Sequence, residues 1–177
     1  MSYAGIQTRV LTLLQLLSEF DADNSSEYDY RTLKDGAAQY AILMRGNSGT
    51  GDSGQVDVAD GKKRYVRRDD WGVNIELYAA FTVSGADTRS RLNTLVDTVT
   101  EHFDKYQDLN GLDGVIDVHL NLVGEPDEWT VGNGRYWRQI LEMNVIEYSE
   151  VFMAEDHSGL IPRWDGNSVW DGTAAWR

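Results

Sequence analysis

The sequence predicts an α+β domain: an antiparallel four-stranded sheet with two helices packed on one face, a β-hairpin projecting between the first two strands, and an extended C-terminal arm. Three observations predict it. Two segments carry apolar residues at helical spacing, one segment alternates strictly between apolar and polar, and the elements follow one another as helix, strand, strand, helix, strand, strand. The domain spans residues 1–152, with the hairpin insertion at about 47–70, and the arm spans 153–177.

The first helix is read over residues 3–20, where Ile6, Val10, Leu13, Leu14 and Leu17 form one stripe. Asp21 to Asp35 is polar and acidic and reads as a loop. Residues 37–45 are short, apolar and bounded by glycines, which favours a strand. From Trp71 to Val83 every odd position is apolar while Gly72, Asn74, Glu76 and Thr82 alternate with them, so this is a long strand with one buried face. Ser84 to Asp87 supplies a turn and an N-cap. Leu92, Leu95, Val96, Val99, Phe103 and Tyr106 then mark a second helix over 88–109, stopped by Asn110-Gly111 and Asp113-Gly114. Ile116, Val118, Leu120 and Leu122 alternate as a third strand, and a loop from Gly124 to Gly134 leads to a fourth over 135–149. A phase change there, from Val145 to Ile146 and Tyr148, predicts a bulge.

Two segments fall outside that body. In the insertion Asn47 to Asp70, Asp60-Gly61 separates Gln55–Val58 from Lys62–Arg68, a hairpin signal. In the C-terminal stretch Trp164, Trp170 and Trp176 recur every six residues, so an extended chain projects all three rings to one side.

Composition narrows the functions. The chain has 177 residues, 41% hydrophobic and 25% charged, with 29 acidic against 16 basic residues and a formal net charge of −13. That is the size of one domain. The absence of cysteine excludes disulfides, zinc-thiolate sites, iron–sulfur clusters and thiol nucleophiles. No apolar stretch approaches the ~20 residues of a membrane helix, and no export signal is read at the N-terminus. A sequence pI near 4.5 argues against nucleic acid as the main partner. The 19 Asp and 12 Arg against 10 Glu and 4 Lys suit a surface working in high salt, or a GC-rich genome.

Motifs that resemble catalytic ones do not hold their context. Gly49-Thr50-Gly51-Asp52-Ser53-Gly54 has the glycine spacing of a dinucleotide site but precedes a strand pattern rather than a helix. Its Gly51-Asp52-Ser53-Gly54 matches a serine-protease nucleophile segment, yet His102, His119 and His157 all follow the serine. Asp21, Asp23 and Ser25 begin like a calcium loop that lacks its glycine and its closing glutamate. Glu125, Asp127 and Glu128 are dense near a strand end, and an acid/base pair there would need one of them desolvated. No catalytic residue, metal ligand or cofactor is expected.

Lys62, Lys63, Arg64, Arg67 and Arg68 place five of the 16 basic residues in seven positions. Three readings stay open: docking on an acidic neighbouring copy, contact with DNA phosphates, and an edge strand charged against aggregation. Trp164, Trp170 and Trp176 are expected to seat in grooves of this chain or of a neighbour.

In the order of these elements, residues 1 to about 150 resemble the tail terminator family of long-tailed phages and archaeal tailed viruses, also called tail completion or tail-to-head joining proteins. The likeness rests on Leu13-Leu14-Gln15-Leu16-Leu17 ending the first helix, the strand pair around Ala38–Met44 and Trp71–Val83 with a long loop between, the helix Thr88–Leu109, and the strands Val115–Val123 and Tyr136–Tyr148. The resemblance implies a ring of identical subunits, usually six, that caps the tail tube, joins it to the neck or connector protein, and lets genomic DNA pass through its lumen without specific binding. It implies a virion protein of the tail or neck, assembled in the host cytoplasm, with no enzymatic activity and no membrane partner. The loop between the first two strands would reach a neighbour or the tube, putting Gln55–Arg68 at a working surface. The tryptophan arm departs from the family's compact pattern and suggests an additional contact. Another neck or tail-tube component is the nearest alternative, and a DNA-binding module using the basic hairpin a more distant one.

Overall fold

A computed structural model of the chain describes residues 3–28, 38–57, 63–81, 85–131 and 134–151. The elements are α1 (Tyr3–Leu14), β1 (Ser25–Glu27), β2 (Gln39–Arg45), β3 (Gly49–Asp57), β4 (Lys63–Ala80), α2 (Gly85–Phe103), β5 (Val115–Val131) and β6 (Gly134–Val151).

The sheet is mixed, which corrects the predicted four antiparallel strands. Its main path runs β1-β2-β4-β6-β5, with β3 paired to β4 off that path. β1 pairs with β2 in parallel, Ser25 opposite Ala41 and Glu27 opposite Leu43, while the other pairings are antiparallel. β1 escaped the sequence reading because its three polar residues carry no period. Polar contacts hold it instead: Gln15 Nε2 donates to Ser25 Oγ at 2.9 Å, Ala41 N to Asn24 O at 2.9 Å, and Tyr28 N to Leu43 O at 2.9 Å.

Both helices lie on the face formed by Ala41, Leu43, Val73, Ile75, Leu77, Ala79, Leu141, Met143 and Val145, against which Ile6, Val10, Leu13, Leu92, Val99 and Phe103 pack. α1 ends at Leu14 rather than residue 20. Tight turns follow, with Leu17 N donating to Leu14 O and Phe20 N to Leu17 O at 3.1 Å each. Phe20 is still buried through those turns, so the apolar stripe outlasts the helix that it suggested. α2 likewise starts at Gly85 and stops at Phe103, and three-residue turns carry Tyr106 and Leu109 inward. Leu109 and Asn110 take the left-handed conformation (φ 51° and 59°) that ends this stretch.

The opposite face was expected to be polar along β4. It is not: Tyr40, Ile42, Tyr78 and Tyr136 form a second buried cluster there, their rings meeting edge to face at 5.8 and 6.1 Å. Glu76 is buried among these residues and accepts the Tyr78 hydroxyl.

The hairpin strand and the core strand are one. β4 runs unbroken from Lys63 to Ala80, pairing with β3 through its first half and with β2 through its second. The insertion therefore lengthens the sheet. Its tip, 58–62, with the Asp60-Gly61 signal, lies outside the described residues. β6 pairs with β4 from Tyr65↔Val151 to Ala80↔Tyr136 without a shift, so the predicted bulge is absent from β6. The bulge sits opposite, in β5 between Val115 and Asp117, which buries Val115 and turns Ile116 outward. The predicted loop from Gly124 is also a strand: a second irregularity between Val123 and Asp127 absorbs Gly124 and Pro126, and pairing resumes through Val131↔Gly134.

One glycine is dictated by a crossing. The chain leaving β2 passes over Gly72 so closely that a Cβ there would lie 2.1 Å from Asn47 O. Gly46 N donates to Gly72 O at 2.9 Å and the Tyr3 hydroxyl donates to the same oxygen at 3.0 Å, fastening α1 to the crossing.

Candidate interaction surfaces

At the β3–β4 end, the basic ribbon is partly neutralised by its own strand. In an extended chain residues two apart share a face. Arg67 accordingly reaches Asp69 Oδ2 with Nε at 2.9 Å and Nη2 at 2.8 Å, and Arg68 Nε reaches Asp70 Oδ1 at 3.0 Å. The two pairs are unequal: the Asp69 side chain is 5% exposed and that of Asp70 32%. Lys63 and Arg64 lie opposite Asp57 and Val56 in the ladder, and Lys62 lies outside the described residues. Trp164, Trp170 and Trp176, with the arm from 153, also lie outside them. The last described residue before it, Val151, pairs with Tyr65 beside the ribbon.

At the other end of the sheet the β5–β6 hairpin is pinned by Arg138. Its guanidinium makes a two-point contact with Asp127 (Nε–Oδ1 3.0 Å, Nη2–Oδ2 2.7 Å), lies 3.9 Å from Glu76 Oε1, and stacks 4.1 Å above the Trp129 ring. The hydrogen bond with Asp127 holds this guanidinium well above its ordinary value, against the opposing effect of burial, so the charge is permanent. On the helix-covered face two stacked rings are flanked by two cations in the order Arg135, Phe81, Trp137, Arg89. The successive separations are 4.8, 5.9 and 5.7 Å. Arg135 also meets Glu128 at 3.0 Å.

These contacts account for two of the three carboxylates that the sequence raised as an acid/base candidate: Asp127 and Glu128 are half-exposed and ion-paired, and Glu125 is exposed. Of the histidines, His119 pairs with Asp117 at 2.9 Å on the surface, while His102 Nε2 lies 2.8 Å from Leu13 O and ties α2 to α1. Among the described residues no three His, Asp or Glu side chains gather as a metal site, and no helix is long and apolar enough to cross a membrane. β5, the last strand of the sheet path, exposes Ile116, Leu122 and Val123.

Sequence reasoning missed Arg89, Arg135 and Arg138. The available signal was the interleaving of Arg135 and Arg138 with Trp129, Tyr136 and Trp137, a density of cations and rings unusual for so acidic a chain. No protein-family profile matches the chain, and no curated protein matches it.

Proposed function

We propose that the chain is a structural subunit of the tail terminator type: copies of it close into a ring, of six by analogy, that caps a tail tube and joins it to the neck of the filled head. The observation that carries this reading is the unbroken β4 strand. Eighteen residues at about 3.3 Å each reach roughly 60 Å, well past the part of the sheet that the helices cover. The basic ribbon and Val151, the last described residue before the tryptophan-bearing segment, thus share one end of a stiff, sheet-borne arm, as a subunit that must grasp a neighbour or a tube requires. The net charge of −13 supports the same reading, since an acidic wall lets DNA slide without sticking. No bond is made or broken in this role; association supplies the energy.

The test is to add purified protein to tail tubes and image their ends. One ring per end, followed by joining to filled heads, is the expected result. Repeated stacking along the tube would instead assign the chain to another neck or tail-tube component. Salt-sensitive DNA binding lost on charge reversal at Lys62–Arg68, with bare tube ends, would make it a nucleic-acid-binding module.

A further inference from the structure

The outer face of α2 carries Arg89, Asn93, Asp97 and Glu101 at successive four-residue steps, Asp104 follows in the turn just past the helix end, and all five are exposed. They form one stripe, positive near the helix start and acidic from Asp97 to Asp104, where the exposed Lys105 follows. Arg135 joins the positive end through the ladder of rings that links it to Arg89. At 1.5 Å per residue, Asp97 lies about 12 Å and Asp104 about 22 Å along the axis from Arg89.

The electrostatics of the helix itself run against this order. The helix dipole prefers anions at the start and cations at the end, and Asp87 follows that preference, but the exposed stripe runs against it. Asp97 and Glu101 stand four apart and Glu101 and Asp104 three apart, like-charge spacings that weaken a helix by a few tenths of a kcal/mol each. Among the described residues neither Asp97, Glu101 nor Asp104 has an ion pair, and the Arg89 guanidinium lies 5.7 Å from the centre of the Trp137 ring. Stacking of this kind uses the face of the guanidinium and leaves its edge for hydrogen bonding. The Trp137 Nε1 atom is buried without a hydrogen-bond partner, so this ring serves by its face.

We propose that this stripe is a contact between copies of the chain: Arg89 and Arg135 of one subunit receive Asp97, Glu101 and Asp104 of a second. The occupant is set by charge complementarity, since the positive patch and the negative stripe that match each other are both present on every copy. The inference rests on the ring reading only in requiring that copies associate, and it adds which surfaces meet. Pairing of exposed charges makes the contact salt-sensitive.

Two double variants test it, Arg89→Glu with Arg135→Glu and Asp97→Arg with Glu101→Arg, all at exposed positions, with folding checked by circular dichroism. Sedimentation of the full chain at low salt should show self-association that either variant alone weakens roughly tenfold. Mixing the two variants should restore it, because each reversed patch then faces a reversed partner. A wild-type chain that stays monomeric at every concentration, variants that associate like wild type, or a mixture that recovers nothing would overturn the inference. Capped tubes formed by either variant alone would sink this contact and leave the terminator reading standing; charge-swapped association with tube ends left bare would do the reverse.

Discussion

Gly72→Ala puts the crossing of the chain over β4 to a direct test. The new methyl would meet three backbone atoms of Asn47, O at 2.1 Å, N at 2.7 Å and C at 2.9 Å, none of which a rotamer change can move. Restoring the nearest contact to about 3.5 Å displaces the crossing segment by roughly 1.4 Å. That movement breaks the bonds from Gly46 N and the Tyr3 hydroxyl to Gly72 O. Two hydrogen bonds at about 1 kcal/mol each, with about 1–3 kcal/mol for overpacking, give a loss of about 4 kcal/mol. Gly72 is not among the positive-φ glycines, so the cost is one of contact rather than backbone conformation. Urea unfolding followed by circular dichroism should show the midpoint falling by about 2 M, taking a slope of about 2 kcal/mol per M. Gly49→Ala is the control: its methyl meets nothing within 4 Å, and its effect should stay within about 0.5 kcal/mol. A Gly72→Ala midpoint indistinguishable from wild type, or an equal loss at Gly49, would refute the reasoning.

Three further outcomes are expected. Burial, with the neighbouring Tyr28 side chain adding to it, pushes the Tyr3 hydroxyl well above its ordinary value, so the folded chain keeps a proton that the unfolded chain gives up near pH 10. The associated stability is complete below about pH 10 and drains away above it; Tyr3→Phe should therefore flatten the alkaline fall in urea midpoints. Arg138→Met strips the guanidinium from Glu76, whose side chain is 9% exposed, and from Asp127. The loss should be about 3 kcal/mol, or roughly 6–12 °C in melting temperature, with Arg138→Lys recovering only part because it lacks the planar fork. In the basic ribbon, Arg67→Ala should cost about 2 kcal/mol and Arg68→Ala under about 1 kcal/mol, because Asp69 is far more buried than Asp70; equal losses in thermal melts would contradict that ranking.

The residues that a periodic pattern could reveal were those packed under the helices. Val73, Ile75, Leu77 and Ala79 alternate in the chain as they do in space. The second cluster was hidden because tyrosine is apolar along its ring and polar at its tip, so Tyr78 beside Glu76 reads as a solvated face. Gly124 and Pro126 read as strand breakers, yet an irregularity in β5 accommodates both and the ladder resumes. The phase change read at Ile146 does not occur in β6, whose buried face continues through Val145 to Glu147 while Tyr148 is exposed; the apolar pattern misled because a buried carboxylate takes the next inward position, and the extra residue of this strand pair is in β5. For the ribbon, the two-residue spacing of Arg67 with Asp69 and Arg68 with Asp70 was visible in the chain, and it is the strand period that turns this spacing into ion pairs. The Arg135–Phe81–Trp137–Arg89 ladder was not legible, since it joins residues from the end of β4, the start of α2 and the start of β6.

The shift-free pairing of β4 with β6 has a mechanical consequence. A pull on Val151 along the strand axis, with the rest of the sheet held, loads the sixteen pairs from Tyr65↔Val151 to Ala80↔Tyr136 in shear, sharing the force among them. A force across the strands would unzip the same ladder one pair at a time. The sheet is thus strong along its long strands and weak at right angles to them.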